Sequence, residues 1–222
     1  MGTTRLTLST AIVLVAAAPV WAGTWNENGD ANQLTGQVTH GIGMITNITG
    51  QTTIGVDGSL VDIADLYAIR IMDGQHFVAS VAAGGMFDTQ LFLFDSQFRG
   101  VLHNDDDVEQ TTPNHSAISS TAAGIELVPG MYYLAISGHD IDPVNSDGQE
   151  IWADAPWLDV TAPDGPGRSN PRLAGWNTSP EDGLDWGGYT IELEGAQFAV
   201  PSPGALGALA GAWIVGSRRR RR

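Results

Sequence analysis

Acidic residues gather at three places in this 222-residue sequence. Asp105-Asp106-Asp107 follows Asn104 and precedes Glu109. Asp88 and Asp95 bracket Leu91-Phe92-Leu93-Phe94, and Asp62 and Asp65 stand just before Tyr67. Calcium takes roughly six to eight oxygen ligands from carboxylates, carbonyls and waters. Three acids in one turn supply part of such a shell, and neighbouring strand ends supply the rest. The candidate calcium ligands are therefore Asp62, Asp65, Asp88, Asn104, Asp105, Asp106 and Asp107. Asn and Asp also favour turns by bonding nearby backbone N–H groups, which gives the same residues a purely structural use.

Other chemistry fits the residues less well. Asp140, Asp142, Asn145 and Asp147-Gly148 invite an EF-hand comparison, but Val144 stands where the third ligand belongs. The five histidines are His40, His76, His103, His115 and His139, and no pair has the helical i, i+4 spacing of zinc proteases. Gly138-His139-Asp140 is not a nucleophile elbow, since the chain has no G-x-S-x-G. Paired carboxylates could hydrolyse a glycoside across a cleft, at a separation that spacing in sequence does not fix. Trp157 and Trp176 could stack on sugar rings, or their rings could serve as local core for a long loop.

These residues need strands to position them. Tyr67, Ile69 and Ile71 alternate with Ala68, Arg70 and Met72; Tyr189, Ile191 and Leu193 alternate with Thr190, Glu192 and Glu194. A period of two with one polar face marks half-buried antiparallel strands. Leu91-Phe92-Leu93-Phe94 is apolar on both faces, so it is expected to be a central or doubly covered strand. Met131–Ser137 follows the Pro129-Gly130 turn signal and carries Tyr132, Leu134 and Ile136 on one face. No long segment between 23 and 200 has a helical apolar period. The expected fold is all-β, a jelly-roll-type sandwich of about eight antiparallel strands. Residues 23–54 form a lead-in with one or two strands. Residues 139–187 break the regularity. They hold four Trp among many Asp, Gly and Pro, and read as an ordered excursion laying its rings on an edge or face of the sandwich.

The two ends read as addresses. Residues 1–22 have the pattern of a signal peptide, with Arg5, an apolar helix over Ala11–Ala18 and small residues at Val20-Trp21-Ala22. Residues 200–222 carry Pro201-Ser202-Pro203, a short apolar helix over Gly204–Gly216, and Arg218, Arg219, Arg220, Arg221 and Arg222. The apolar run is shorter than the ~20 residues of a relaxed span. The Arg cluster is expected to stay cytoplasmic while the body lies outside the inner membrane.

Composition excludes several classes. With no Cys there is no disulfide and no thiolate site. The net charge of −15 argues against nucleic-acid binding. All 25 acidic residues but only four of the ten basic ones (Arg70, Arg99, Arg168 and Arg172) lie between the two ends, so the body is more acidic than the whole.

The C-terminal end resembles the PEP-CTERM sorting signal of exported bacterial proteins, with Ser202 in place of that signal's central Glu. The resemblance implies export through a translocon, a transient membrane anchor and processing by an exosortase-like peptidase. Five ordered motifs resemble the bacterial pre-peptidase C-terminal domain over residues 55–196. They are Asp62-Ile63-Ala64-Asp65-Leu66-Tyr67, Phe87 to Asp95, Asn104-Asp105-Asp106, Pro129 to Gly138, and Gly188-Tyr189-Thr190-Ile191. That resemblance implies a β-sandwich appended to secreted proteins, non-catalytic, in some members binding calcium or extracellular polymers. The expected function is an exported, non-enzymatic envelope or matrix module, a surface or adhesion component, with extracellular polysaccharide as a partner. A secreted hydrolase of glycosides or peptides, and a carbohydrate-binding module using the Trp-rich excursion, are the alternatives.

Overall fold

A computed structural model describes residues 21–54, 60–82, 87–107, 115–178 and 186–201. The signal segment before Trp21 and the sorting-signal residues Ser202, Pro203 and Arg218 to Arg222 lie outside the described residues. The structure is all-β, with no helix among the described residues.

The strands follow the alternating segments of the sequence. The lead-in holds β1 (Ala22–Asn26), β2 (Gln37–Val38), β3 (His40–Gly41), β4 (Met44–Gln51) and β5 (Thr53–Ile54). The body follows with β6 (Leu60–Asp62), β7 (Ala64–Ile71), β8 (Val78–Val81), β9 (Thr89–Asp95), β10 (Gly100–Asn104), β11 (Ala117–Ser119) and β12 (Gly130–Gly138). The excursion adds β13 (Ile141–Val144) and β14 (Gly175–Thr178). The chain closes with β15 (Gly188–Glu194), β16 (Ala196–Phe198) and β17 (Val200–Pro201).

The main hydrogen-bonded order is β10-β9-β12-β7-β16-β4-β15-β8-β11. β16 turns the corner, pairing with β7 on one side and β4 on the other. The two ends of the order, β10 and β11, come back into contact. Inside lie Tyr67, Ile69, Leu91, Leu93, Leu134 and Ile136 from one half, facing Ile45, Ile48, Phe77, Ala79, Ile191 and Leu193 from the other.

The lead-in is more structured than expected. β1 pairs with β4 and β2 with β7, both in parallel, whereas only antiparallel strands were expected. Polar contacts hold it in place: Trp25 Nε1 donates to Gln37 Oε1 at 2.8 Å, and Thr39 Oγ1 donates to Ala68 O at 2.7 Å.

The excursion lies against the outer face of the β9–β12–β7 half. Ile151, Trp152 and Leu173 pack on Leu66, Phe92, Phe94 and Ala135. The Trp152 ring centroid is 5.5 Å from that of Phe92 and 5.6 Å from that of Phe94. This explains the two apolar faces of β9: Leu91 and Leu93 fill the sandwich, while Phe92 and Phe94 seat the excursion.

Candidate functional site

Strand register decides where the acidic residues go. β12 runs antiparallel to both β7 and β9, so its end at Ser137 and Gly138 lies beside Ala64 and Thr89, the starts of the other two. β10 ends beside the start of β9, with Asn104 opposite Leu91. Side chains alternate between faces along each strand. Asp65 therefore shares the inner face of Tyr67 and Ile69. Asp88, Asp105 and His139 extend the outer-face rows of Phe92, His103 and Ala135. Two clusters result at one end of the sheet, on opposite faces.

The inner cluster joins Glu27, Asp62 and Asp65, with one carboxylate oxygen from each lying within 4.8 Å of the others. Glu27 arrives through β1, and its carboxylate accepts the N–H groups of Ala31 at 3.0 Å and Gln51 at 2.9 Å. Asp65 is fully buried. Its Oδ2 accepts a 2.5 Å bond from Tyr189 Oη across the sandwich, and the Tyr67 and Tyr189 hydroxyls are 2.6 Å apart. Asp65 Oδ1 and Asp62 Oδ1 are buried without a hydrogen-bond donor. Burial pushes Asp65 up to about 8, against the pull of the Tyr189 bond, and neighbouring Asp62, Glu27 and Asp30 push the same way. Burial, with Asp30 and Glu27, raises Asp62 to about 7.

The outer cluster joins Asp88, Asp105 and His139, again with ligand atoms within 4.8 Å of one another. The His139 N–H donates to Asp88 O at 3.2 Å, which fixes the turn leaving β12 against the start of β9. Asp105 is buried, and its Oδ1 has no hydrogen-bond donor. His139 Nδ1 is 3.8 Å from that oxygen, and Nε2 is 3.3 Å from Asp140 Oδ2. Asp140 sits at φ 57°, a left-handed conformation that Asp tolerates better than most residues. Burial opposes charging His139, but Asp105, Asp140 and Asp88 outweigh it and its pKa is raised. Burial pushes Asp105 up to about 7, with His139 pulling down and Asp106, Asp88 and Asp140 pushing up.

A cavity of about 200 Å³ opens beside the outer cluster, lined by Asp105, His139, Gln90, His103, Asp142 and Trp157 among others. With its amide oriented to suit its neighbours, Gln90 donates to Asp142 Oδ1 at 3.0 Å and accepts the Asp140 N–H at 2.8 Å. Burial raises Asp142 to about 7, reinforced by Glu150, Asp154, Asp140 and Asp105. Burial lowers His103 to about 3, so its ring is neutral, and it stacks on Phe92 at 4.6 Å.

The structure thus separates the sequence candidates. Asp62 and Asp65 go to one cluster, Asp88 and Asp105 to the other. The Asn104 amide makes structural bonds: Nδ2 donates to Asp106 O and Trp157 O, and Oδ1 accepts the Ala117 N–H at 2.7 Å. Asp106 and Asp107 hold the turn through their backbones, donating to Trp157 O and His115 O. Trp176 is packed inward, edge-on to Phe92 at 5.6 Å, with Nε1 donating to Gln33 O at 2.7 Å. Trp157 is 54% exposed at the cavity. Glu27 and His139 are absent from the ligand set read in the sequence. His139 was legible in principle, as the outer-face residue just past the end of β12.

No family model matches this chain, and no curated protein matches it. Among solved structures it is similar to the pre-peptidase C-terminal domain of collagenase from Bacillus anthracis. The identity is 14%, the match covers 80% of this chain and 99% of that one, and the TM-score is 0.33.

Proposed function

We propose that this chain is an exported, non-enzymatic β-sandwich module that is stabilised by calcium at Glu27, Asp62 and Asp65. The observation that carries the calcium reading is Asp65. Without a metal, this fully buried carboxyl facing two further carboxylates is held protonated and bonds Glu27, and ionising it there is costly. A hard divalent cation removes that cost and takes oxygen ligands only, which is what this cluster offers. The ion pairs among the described residues join carboxylates to His76 or His139, so no Arg balances the inner cluster there.

The sequence supports the rest of the reading. The Arg-terminated apolar end, resembling an exosortase signal, sorts the body to the envelope or extracellular matrix. The strongly acidic surface suits cations and neutral polymers, and the exposed Trp157 ring offers a stacking face to extracellular polysaccharide.

Thermal melts with and without calcium test the metal. A ligand that binds only the folded state raises the melting temperature by mass action. Millimolar calcium is expected to raise it in the wild type and not in Asp65→Asn. An unchanged wild-type melt refutes the calcium reading.

A further inference from the structure

We propose that Asp88, Asp105 and His139 form a second metal site, distinct from the inner cluster and selective for a divalent transition ion of the zinc class. The donor set is the first reason. Zinc accepts imidazole nitrogen and carboxylate oxygen at about 2.0–2.2 Å, whereas calcium binds through oxygen ligands. The inner cluster has no nitrogen donor, and the outer one has His139 within 4.8 Å of both carboxylates.

Spacing is the second reason. Two ligands of one tetrahedral zinc stand about 3.4 Å apart, given bonds of about 2.1 Å. His139 Nδ1 and Asp105 Oδ1 are 3.8 Å apart. That is too long for a direct hydrogen bond and close to the separation of two ligands sharing an ion.

Two buried groups bear on the site. Asp105 is only 7% exposed, and the nearest partner of its Oδ1 is His139 Nδ1 at 3.8 Å. His103 is 5% exposed, lines the adjoining cavity, and has an unpartnered Nε2. Most buried polar side-chain atoms have a hydrogen-bond partner, so an unpaired imidazole nitrogen beside this cluster points to a ligand.

The surroundings complete the arrangement. Asp140 Oδ2 lies 3.3 Å from His139 Nε2. A metal-ligating imidazole commonly gives its other N–H to a carboxylate, which fixes the tautomer and leaves the opposite nitrogen free to ligate. Here that leaves Nδ1 facing Asp105. Asp105 and His139 both line the cavity of about 200 Å³, which gives an ion access to them.

The test is a zinc titration of the whole exported chain by calorimetry, with calcium saturating. We expect one zinc bound per chain, at least tenfold weaker in His139→Gln and in Asp105→Asn, and unchanged in Asp62→Asn. Absence of zinc binding overturns the site, as does zinc binding that survives in His139→Gln and vanishes in Asp62→Asn. A second readout needs no substitution. Zinc added to the wild type should shift the ring-nitrogen NMR signals of His139 and leave those of His76, which pairs with Asp73 on the surface. An unmoved His139 signal overturns the proposal. Because calcium is held saturating and the inner cluster is altered separately, failure here leaves the calcium reading standing.

Discussion

Tyr189 Oη donates to Asp65 Oδ2 at 2.5 Å, and both groups are buried between the two halves of the sandwich. Tyr189 belongs to β15 and Asp65 to β7, so this bond crosses the core. Tyr67 Oη leans on the same hydroxyl at 2.6 Å. The two tyrosines therefore differ in consequence. Tyr189→Phe strips Asp65 of its donor and Tyr67 of its partner. Tyr67→Phe leaves the Asp65 bond intact. A buried polar group left unsatisfied costs about 1–3 kcal/mol, so Tyr189→Phe is expected to cost roughly 3 kcal/mol and Tyr67→Phe about 1 kcal/mol. Urea denaturation in calcium-free buffer checks this, and equal losses would refute the ordering.

Gly50 sits under this pair. A Cβ built there falls on the Tyr189 hydroxyl and 2.6 Å from Tyr67 Oη. Ala at this position must displace the ring that holds Asp65. Gly50→Ala is expected to destabilise the fold by about 1–3 kcal/mol, as overpacking does. It should also weaken the calcium-dependent rise in melting temperature, whereas Gly130→Ala, whose Cβ meets nothing closer than Val128 O at 3.8 Å, should leave that rise intact.

The inner half of this arrangement was legible and the rest was not, for a topological reason. Asp62 and Asp65 are legible as paired acids before an aromatic strand, but three apart in one extended strand they would face opposite ways, and they meet because the chain breaks at Ile63 between β6 and β7. Glu27 reaches them only because β1 pairs in parallel with β4, and no local period announces a parallel edge strand. The double apolar face of β9 correctly announces a covered sheet, because Phe92 and Phe94 need partners beyond the sandwich. Which Trp supplies them depends on the path of the excursion. Trp152 and Trp176 turn inward and Trp157 outward, although all three sit in similar polar surroundings along the chain.

That difference between tryptophans is measurable. Trp152 is 3% exposed and packs on Phe92 and Phe94, and Gly100 is bare beneath its ring. Trp152→Ala is expected to cost about 3–5 kcal/mol, the range for a large aromatic removed from a core. Trp157→Ala, at an exposed site, should stay within about 0.5 kcal/mol. If instead Trp157→Ala unfolds the excursion, as seen by protease cleavage within 139–178, Trp157 is a packing residue and its stacking role fails.

The pH dependence follows from the inner carboxylates. Asp62 at about 7 and Asp65 at about 8 stand well above the ordinary carboxylate value of about 3.9. Folding thus favours their protonated forms. A raised folded pKa contributes stability that is full below the unfolded value and is lost as pH rises through the folded one. Below about pH 6.5 His103 works the other way, because it is buried neutral and its unfolded counterpart takes up a proton. The informative window is therefore pH 6.5–9. In chelator, the melting temperature is expected to fall across that window, and Asp65→Asn should flatten part of the fall. Asp105 and Asp142, also raised to about 7, keep contributing a decline in that variant. Calcium must displace the protons that Asp62 and Asp65 hold, so its stabilising increment should grow as pH rises and shrink toward pH 6.5. Melting profiles in chelator and in calcium should accordingly diverge with rising pH. Parallel profiles would show that calcium binds without displacing those protons, and that the inner cluster is not its site.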